Sequence, residues 1–210
     1  FLETAKRSHN YNQYALILET GLRTGEMIGL TWDAIDFEKR TLTINKNCSF
    51  DAVNSIGVLV PENAAQLPHN TVDGRAYEIL KGIWDSRPEQ KKSPTLDKTL
   101  ECIDRRTGVS SKLVMRDLVF VNWRTGETAK NSSYDTHLYK LCDEAGIKHF
   151  CMHALRHTYA ARAIESGLQP KVLQKLLGQA GIKTTMDRYV HVTAESLDYA
   201  IKQFQQNGVV

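Results

Sequence analysis

The sequence predicts a mixed fold, mainly α-helical, with a small antiparallel β-sheet in its first third. Two observations carry this. Apolar residues recur at helical spacing near both ends of the chain, as Tyr14, Ile17, Leu18 and Leu22, and again as Leu173, Leu176 and Leu177. Between them the period changes to two, at Thr41-Leu42-Thr43-Ile44-Asn45 and at Ile56-Gly57-Val58-Leu59-Val60, stretches rich in β-branched residues.

The first helix runs to Gly21, a residue that stops helices at little steric cost. Thr24 offers the N-cap of a second helix, and Glu26 in its first turn suits the positive end of the helix dipole. Met27, Ile28, Leu30 and Trp32 give that helix an apolar face. Arg23 therefore falls in the tight junction between two helices, where a long side chain has a defined base. The two alternating runs read as partner strands across a polar connection, and residues 63–71 as a third short strand. From Tyr77 to Trp84 a helix resumes, whereas residues 86–111, polar and charged with Pro88 and Pro94, read as a loop or a partly helical insertion. Leu118-Val119-Phe120-Val121 is a short apolar run ending at the turn Arg124-Thr125-Gly126. Residues 131–145 are helical and closed by Gly146; residues 153–166 are helical and closed by Gly167. Pro170 suits the first turn of a further helix, which buries its leucines and ends at Gly178. Thr193 with Glu195 opens a last helix, residues 193–206, carrying Leu197, Ile201 and Phe204.

With 210 residues, 41% hydrophobic and 24% charged, the chain fits one domain with a sizeable core. No apolar run approaches the roughly 20 residues that span a bilayer, so no membrane is expected as partner. The chain opens on Phe1 without a signal-peptide core, and is expected to be a fragment of something longer. A net charge of +3 permits nucleic-acid binding without arguing for it. Cys48, Cys102, Cys142 and Cys151 show no paired spacing, and Cys151-Met152-His153 has no second pair to complete a zinc site. Free thiols in a reducing cytoplasm are the expectation.

Chemistry concentrates at His153-Ala154-Leu155-Arg156-His157 and at Asp187-Arg188-Tyr189, with Arg23 far upstream between two glycines. Residues three and four apart share a side of a helix, so His153, Arg156 and His157 are expected to point one way as a polar stripe. Leu155, Tyr159 and Ala163 lie on another stripe that faces the core. Two arginines from distant segments can clamp one phosphate, since each planar fork donates to two oxygens. A neutral His153 can accept the phenolic proton of Tyr189, whose ionisation nearby arginines favour. Metal-free attack on a phosphodiester needs this combination. The competing explanation for any one of these residues is a solvated helix face, or for Tyr189 a rim tyrosine.

In order along the whole chain, Thr20-Gly21-Leu22-Arg23-Thr24-Gly25-Glu26 through Leu30-Thr31-Trp32, then His153-Ala154-Leu155-Arg156-His157, then Leu177-Gly178, then Asp187-Arg188-Tyr189 resemble the boxes of the tyrosine recombinases, in wording closest to phage and conjugative-transposon integrases. The resemblance implies a catalytic domain over residues 1–210, with DNA-binding domains upstream, that cuts and rejoins double-stranded DNA at specific sites through a 3′-phosphotyrosyl intermediate. It implies no metal and no nucleotide cofactor. Arg23 and Arg156 match the two family arginines, His153 the histidine before the second arginine, and Tyr189 the nucleophile. His157 takes a supporting, phosphate-positioning part. Gln179 stands where the family has His or Trp, and its amide can donate to a phosphate oxygen. The family's general-acid lysine is not found after Val60-Pro61, where Glu62-Asn63 follow. Lys46 on the earlier strand is the candidate, an unrecognised register the alternative. A homo-oligomer on DNA is expected, dimer or tetramer, with the helix 193–206 docking on a neighbouring protomer or packing in cis. Two other functions stay open: a DNA-binding module on the same scaffold that has lost cleavage, and a DNA-relaxing topoisomerase.

Overall fold

The computed structural model describes residues 1–50, 56–59, 69–86, 98–103, 110–115, 117–121 and 130–178. The chain divides into two compact units, Phe1–Tyr159 and Ala160–Val210.

The first unit opens with helices α1 (Leu2–Ala5), α2 (Tyr11–Thr20) and α3 (Thr24–Ile28). Gly21 ends α2 in the left-handed region, φ 67°, with its N–H donating to the Ile17 carbonyl. Only five residues long, α3 stops before Leu30 and Trp32, which were expected on the same helix; Trp32–Ala34 instead forms a 3-10 turn. Strand β1 (Ile35–Asp36) then pairs antiparallel with β2 (Thr41–Thr43), and β2 with β5 (His69–Thr71), so that Leu42 faces Ile35 on one side and Asn70 on the other. Strand β3 (Asn47–Phe50) pairs with β4 (Ile56–Leu59).

This corrects the expected pairing of the two alternating runs with each other. The cause is local turn chemistry. Asp36 Oδ1 accepts the N–H groups of Glu38 and Lys39, and Arg40 sits at φ 51°, which closes β1 on β2 at short range. The run at Ile56 then takes the nearer extended segment at Asn47. The third strand expected within residues 63–71 is β5.

Helix α4 (Gly74–Asp85) follows, with Ala76 and Leu80 buried. Residues 86–111 hold more than a loop: β6 (Lys98–Ile103) pairs with β7 (Ser110–Met115) along their full length, Lys98 with Met115 and Ile103 with Ser110. The alternation Thr99-Leu100-Glu101-Cys102-Ile103 carries the strand period, masked in composition by the charges and prolines before it. Val119 donates its N–H to the Leu30 carbonyl, and Val119 and Phe120 are buried. Helix α5 (Asn131–Glu144) leads through Gly146, φ 65°, to helix α6 (Met152–Glu165), within which the boundary between the units falls.

One core unites the first unit. Tyr14, Leu16, Ile17, Leu22, Met27, Ile28, Leu42, Leu80, Leu138 and Met152 have essentially no exposed surface, each burial contributing about 1.5 to 3 kcal/mol for a full-sized apolar side chain. In the second unit, α6 ends before Gly167, φ 86°, and Pro170 opens α7 (Pro170–Leu176), with Leu173 and Leu177 buried. The expected helix 193–206 lies outside the described residues.

Within the core edge, Tyr14 Oη lies 2.8 Å from His137 Nδ1. Burial pushes the Tyr14 phenol up, so it keeps its proton. Burial, with Lys140 adding to it and Glu144 opposing, holds the His137 imidazole below its ordinary value, so Nδ1 accepts from the phenol. In the unfolded chain this imidazole takes its proton near its usual pKa of about 6.5, in the fold only at lower pH, so its stabilisation is full above that value and declines as pH falls. Chemical denaturation between pH 8 and 5 is expected to show an acid-side loss of stability that is smaller in His137→Gln; parallel curves for the two proteins would refute the pairing.

Candidate active site

Two of the candidate side chains, Arg23 and Arg156, depend on α3. Arg23, not Thr24, is its N-cap, with extended backbone at φ −70° and ψ 151°. The reason is Glu26, three residues on, as in a capping box. Its Oε2 accepts the Arg23 backbone N–H at 2.8 Å, and its Oε1 accepts the Arg23 guanidinium at 2.6 Å. One carboxylate thus holds both the base and the tip of this arginine. The Arg23 side chain keeps 38% of its surface exposed while that of Glu26 keeps 9%.

Arg156 meets the same carboxylate from α6. Its Nη1 donates to the Gly21 carbonyl at 2.6 Å and lies 3.7 Å from Glu26 Oε2. With 2% of its surface exposed, Arg156 is not part of a solvated polar stripe, which corrects that expectation. A guanidinium goes inward only where acceptors meet it, and the C-terminal end of α2 and Glu26 supply them. His153 is exposed and His157 half-buried, their rings packed edge to face with centroids 4.4 Å apart. Leu155 is buried as expected, while Tyr159 and Ala163 are only partly so. Burial raises the Tyr159 pKa, with Arg156 opposing, so this phenol keeps its proton.

Lys46 lies between β2 and β3 rather than on the earlier strand. Its Nζ donates to Thr31 Oγ1 at 2.8 Å and lies 3.7 Å from Asp33 Oδ1. The lysine side chain is 16% exposed, and Thr31 is buried. Nearby, Lys39 pairs with Asp36, and Arg40 with Asp73 while stacking over Tyr77. Gln179 and Tyr189 lie outside the described residues.

Two residues were missed. Glu26 does more than suit the helix dipole, and its i, i+3 spacing from Arg23 is the usable signal. Asp135 of α5 accepts the Met152 N–H at 2.7 Å and so caps α6 from another helix. No sequence pattern announces a cap donated from 17 residues away. Among the described residues, no three His, Cys, Asp or Glu side chains cluster so as to hold a metal ion, and no helix is long and apolar enough to cross a membrane.

Against known proteins, residues 1–196 match the phage integrase family. The transposase of transposon Tn916 from Enterococcus faecalis is 28% identical over 205 residues, covering 95% of this chain and 46% of that protein. A XerC-like tyrosine recombinase of Caldanaerobacter subterraneus is 27% identical over 190 residues, covering 90% of this chain and 47% of that one. Among solved structures, the integrase of transposon Tn1549 in complex with circular intermediate DNA superposes with a TM-score of 0.75 at 20% identity, covering 97% of this chain and 63% of that chain. The mainly helical fold with its small antiparallel sheet is therefore shared with that integrase. The chain spans about half the length of the curated relatives it matches.

Replacing Glu26 with Gln leaves a buried guanidinium facing a neutral amide. Removal of one charge from a buried pair commonly costs 3 to 5 kcal/mol, and a loss of about 3 kcal/mol is expected from urea unfolding. An unchanged midpoint would show that other groups hold Arg156.

Proposed function

The chain belongs to the phage integrase family, and on that premise we propose that it is the catalytic domain of a site-specific DNA recombinase that integrates and excises a mobile element. Tyr189 attacks a backbone phosphorus of double-stranded DNA. The phenolic oxygen forms the new P–O bond, the P–O5′ bond breaks, and a 3′-phosphotyrosyl link holds the cut end. That link retains the bond energy, so rejoining needs no nucleotide cofactor. His153 takes the phenolic proton, and Lys46 gives one to the departing 5′ oxygen. Arg23 and Arg156 neutralise the charge that grows on the non-bridging oxygens, with the Gln179 amide adding a donor and His157 supporting His153.

The observation that carries this reading is one buried carboxylate, Glu26, that joins two arginines from distant segments of the sequence. A guanidinium has five N–H donors, enough to serve internal acceptors and a phosphate together. The protein is proposed to act in the cytoplasm, as a homo-oligomer on its DNA sites, with the helix 193–206 docking in trans.

A DNA substrate nicked next to the cleavage site, which loses the short leaving strand, is expected to trap a covalent protein–DNA adduct. Tyr189→Phe should abolish the adduct with binding kept, and Arg23→Lys should slow it by about two to three decades. DNA that is bound by the native protein without any adduct would point instead to a binding module on the same scaffold.

A further inference from the structure

We propose that Gly25 and Gly29 are positioning residues for Lys46, setting where the proton donor stands relative to Arg23. The inference rests on the reading of Lys46 as general acid given above. Both glycines belong to α3 or its end, and glycine within a helix costs up to about 1 kcal/mol relative to alanine. Neither has the positive φ that would call for glycine; Gly29 sits at φ −82°. Space is the reason. A Cβ on Gly25 would stand 2.0 Å from Asn47 Oδ1 and 2.6 Å from the Cys48 carbonyl oxygen. On Gly29 it would stand 3.2 Å from the Lys46 carbonyl oxygen and 3.3 Å from Cys48 Sγ. Gly82 of α4, by contrast, has nothing within 4 Å of such an atom. The backbone of residues 46–48 therefore lies directly on α3, with no side chain of the helix between them.

The consequence is a shared ruler. The helix that carries Arg23 at its N-cap and Glu26 in its first turn also sets the height of the Lys46 backbone. Lysine has a flexible four-carbon stem, so its tip is defined only if the base and an acceptor are both fixed. Thr31, two residues beyond Gly29, supplies that acceptor to Nζ. Asn47 can rotate its amide away from an added methyl, but the Cys48 carbonyl is backbone, and the strand must move with it. A displacement of about 1 Å in a reacting group can cost on the order of 10²-fold in rate.

The test uses two versions of the nicked substrate, one natural and one with sulfur in place of the bridging 5′ oxygen. An alkoxide needs the Lys46 proton to leave; a thiolate, from a thiol of pKa about 8.5, leaves without one. Adduct formation is measured at saturating DNA. On oxygen, Gly25→Ala is expected to lose about 10²-fold and Gly29→Ala about tenfold, in the order of their contacts. Both should return to near the native rate on sulfur, as should Lys46→Ala, whereas Arg23→Lys stays slow on both. The double variant Gly25→Ala/Lys46→Ala should be no slower on oxygen than Lys46→Ala alone, as expected for residues acting through one another. If Lys46→Ala is not rescued by sulfur, the general-acid reading of Lys46 fails, and the proposal with it. If Lys46→Ala is rescued but the glycine variants are not, or if they are as fast as native on oxygen, the positioning role alone is overturned. Should Gly25→Ala not fold, the milder Gly29→Ala decides by the same comparison.

Discussion

The interaction on which the first unit's site depends is the carboxylate of Glu26, lodged between two guanidinium groups that would otherwise repel. One oxygen takes the tip of Arg23; the other takes that residue's backbone N–H and faces Arg156. Like charges can be held near one another in a poorly hydrated site only when a countercharge lies between them, and an ionised carboxylate has lone pairs on both oxygens to spend. Arg23 is thereby placed with its side chain partly exposed, while Arg156 is drawn almost wholly inside. The two arginines have different surroundings because one anion serves them from different sides.

That carboxylate also explains a five-residue helix. A segment as short as α3 has no stability of its own, since nucleation is unfavourable and few internal bonds follow. It is held by the buried Met27 and Ile28, by the Glu26 bonds to its own N-cap, and by the backbone of residues 46–48 lying on its glycines. Three kinds of contact leave it by three sides: charge, apolar packing and bare backbone. A helix with so little freedom serves well as a reference frame for side chains arriving from elsewhere.

Much of this was legible in the residues. The helices announced themselves through apolar spacing and through glycine stops, and Gly21, Gly146, Gly167 and Gly178 all adopt the positive φ that a stop requires. The arginine and histidine boxes were legible as well. Strand partners were not, because pairing was decided by the Asp36 turn and not by the alternation that both runs share. The hairpin of β6 and β7 was hidden by the charged and proline-containing residues preceding it. Spacing on α6 could say that His153, Arg156 and His157 share a side, yet not that acceptors at Gly21 and Glu26 wait for only one of them. Lys46 could not be told from other lysines, since its distinction is a bond to Thr31 across the fold.

The bond from Arg156 to the Gly21 carbonyl joins residues 135 positions apart. At the usual pace of translation, about 5 to 20 residues per second, roughly 7 to 27 s pass between the emergence of one partner and the other. Throughout that interval the nascent chain holds Arg23 and Glu26 without the arginine that completes them. A polypeptide still short of residue 156 thus carries the Glu26 carboxylate with only one of these two guanidinium groups beside it, and the delay is written into the order of its residues.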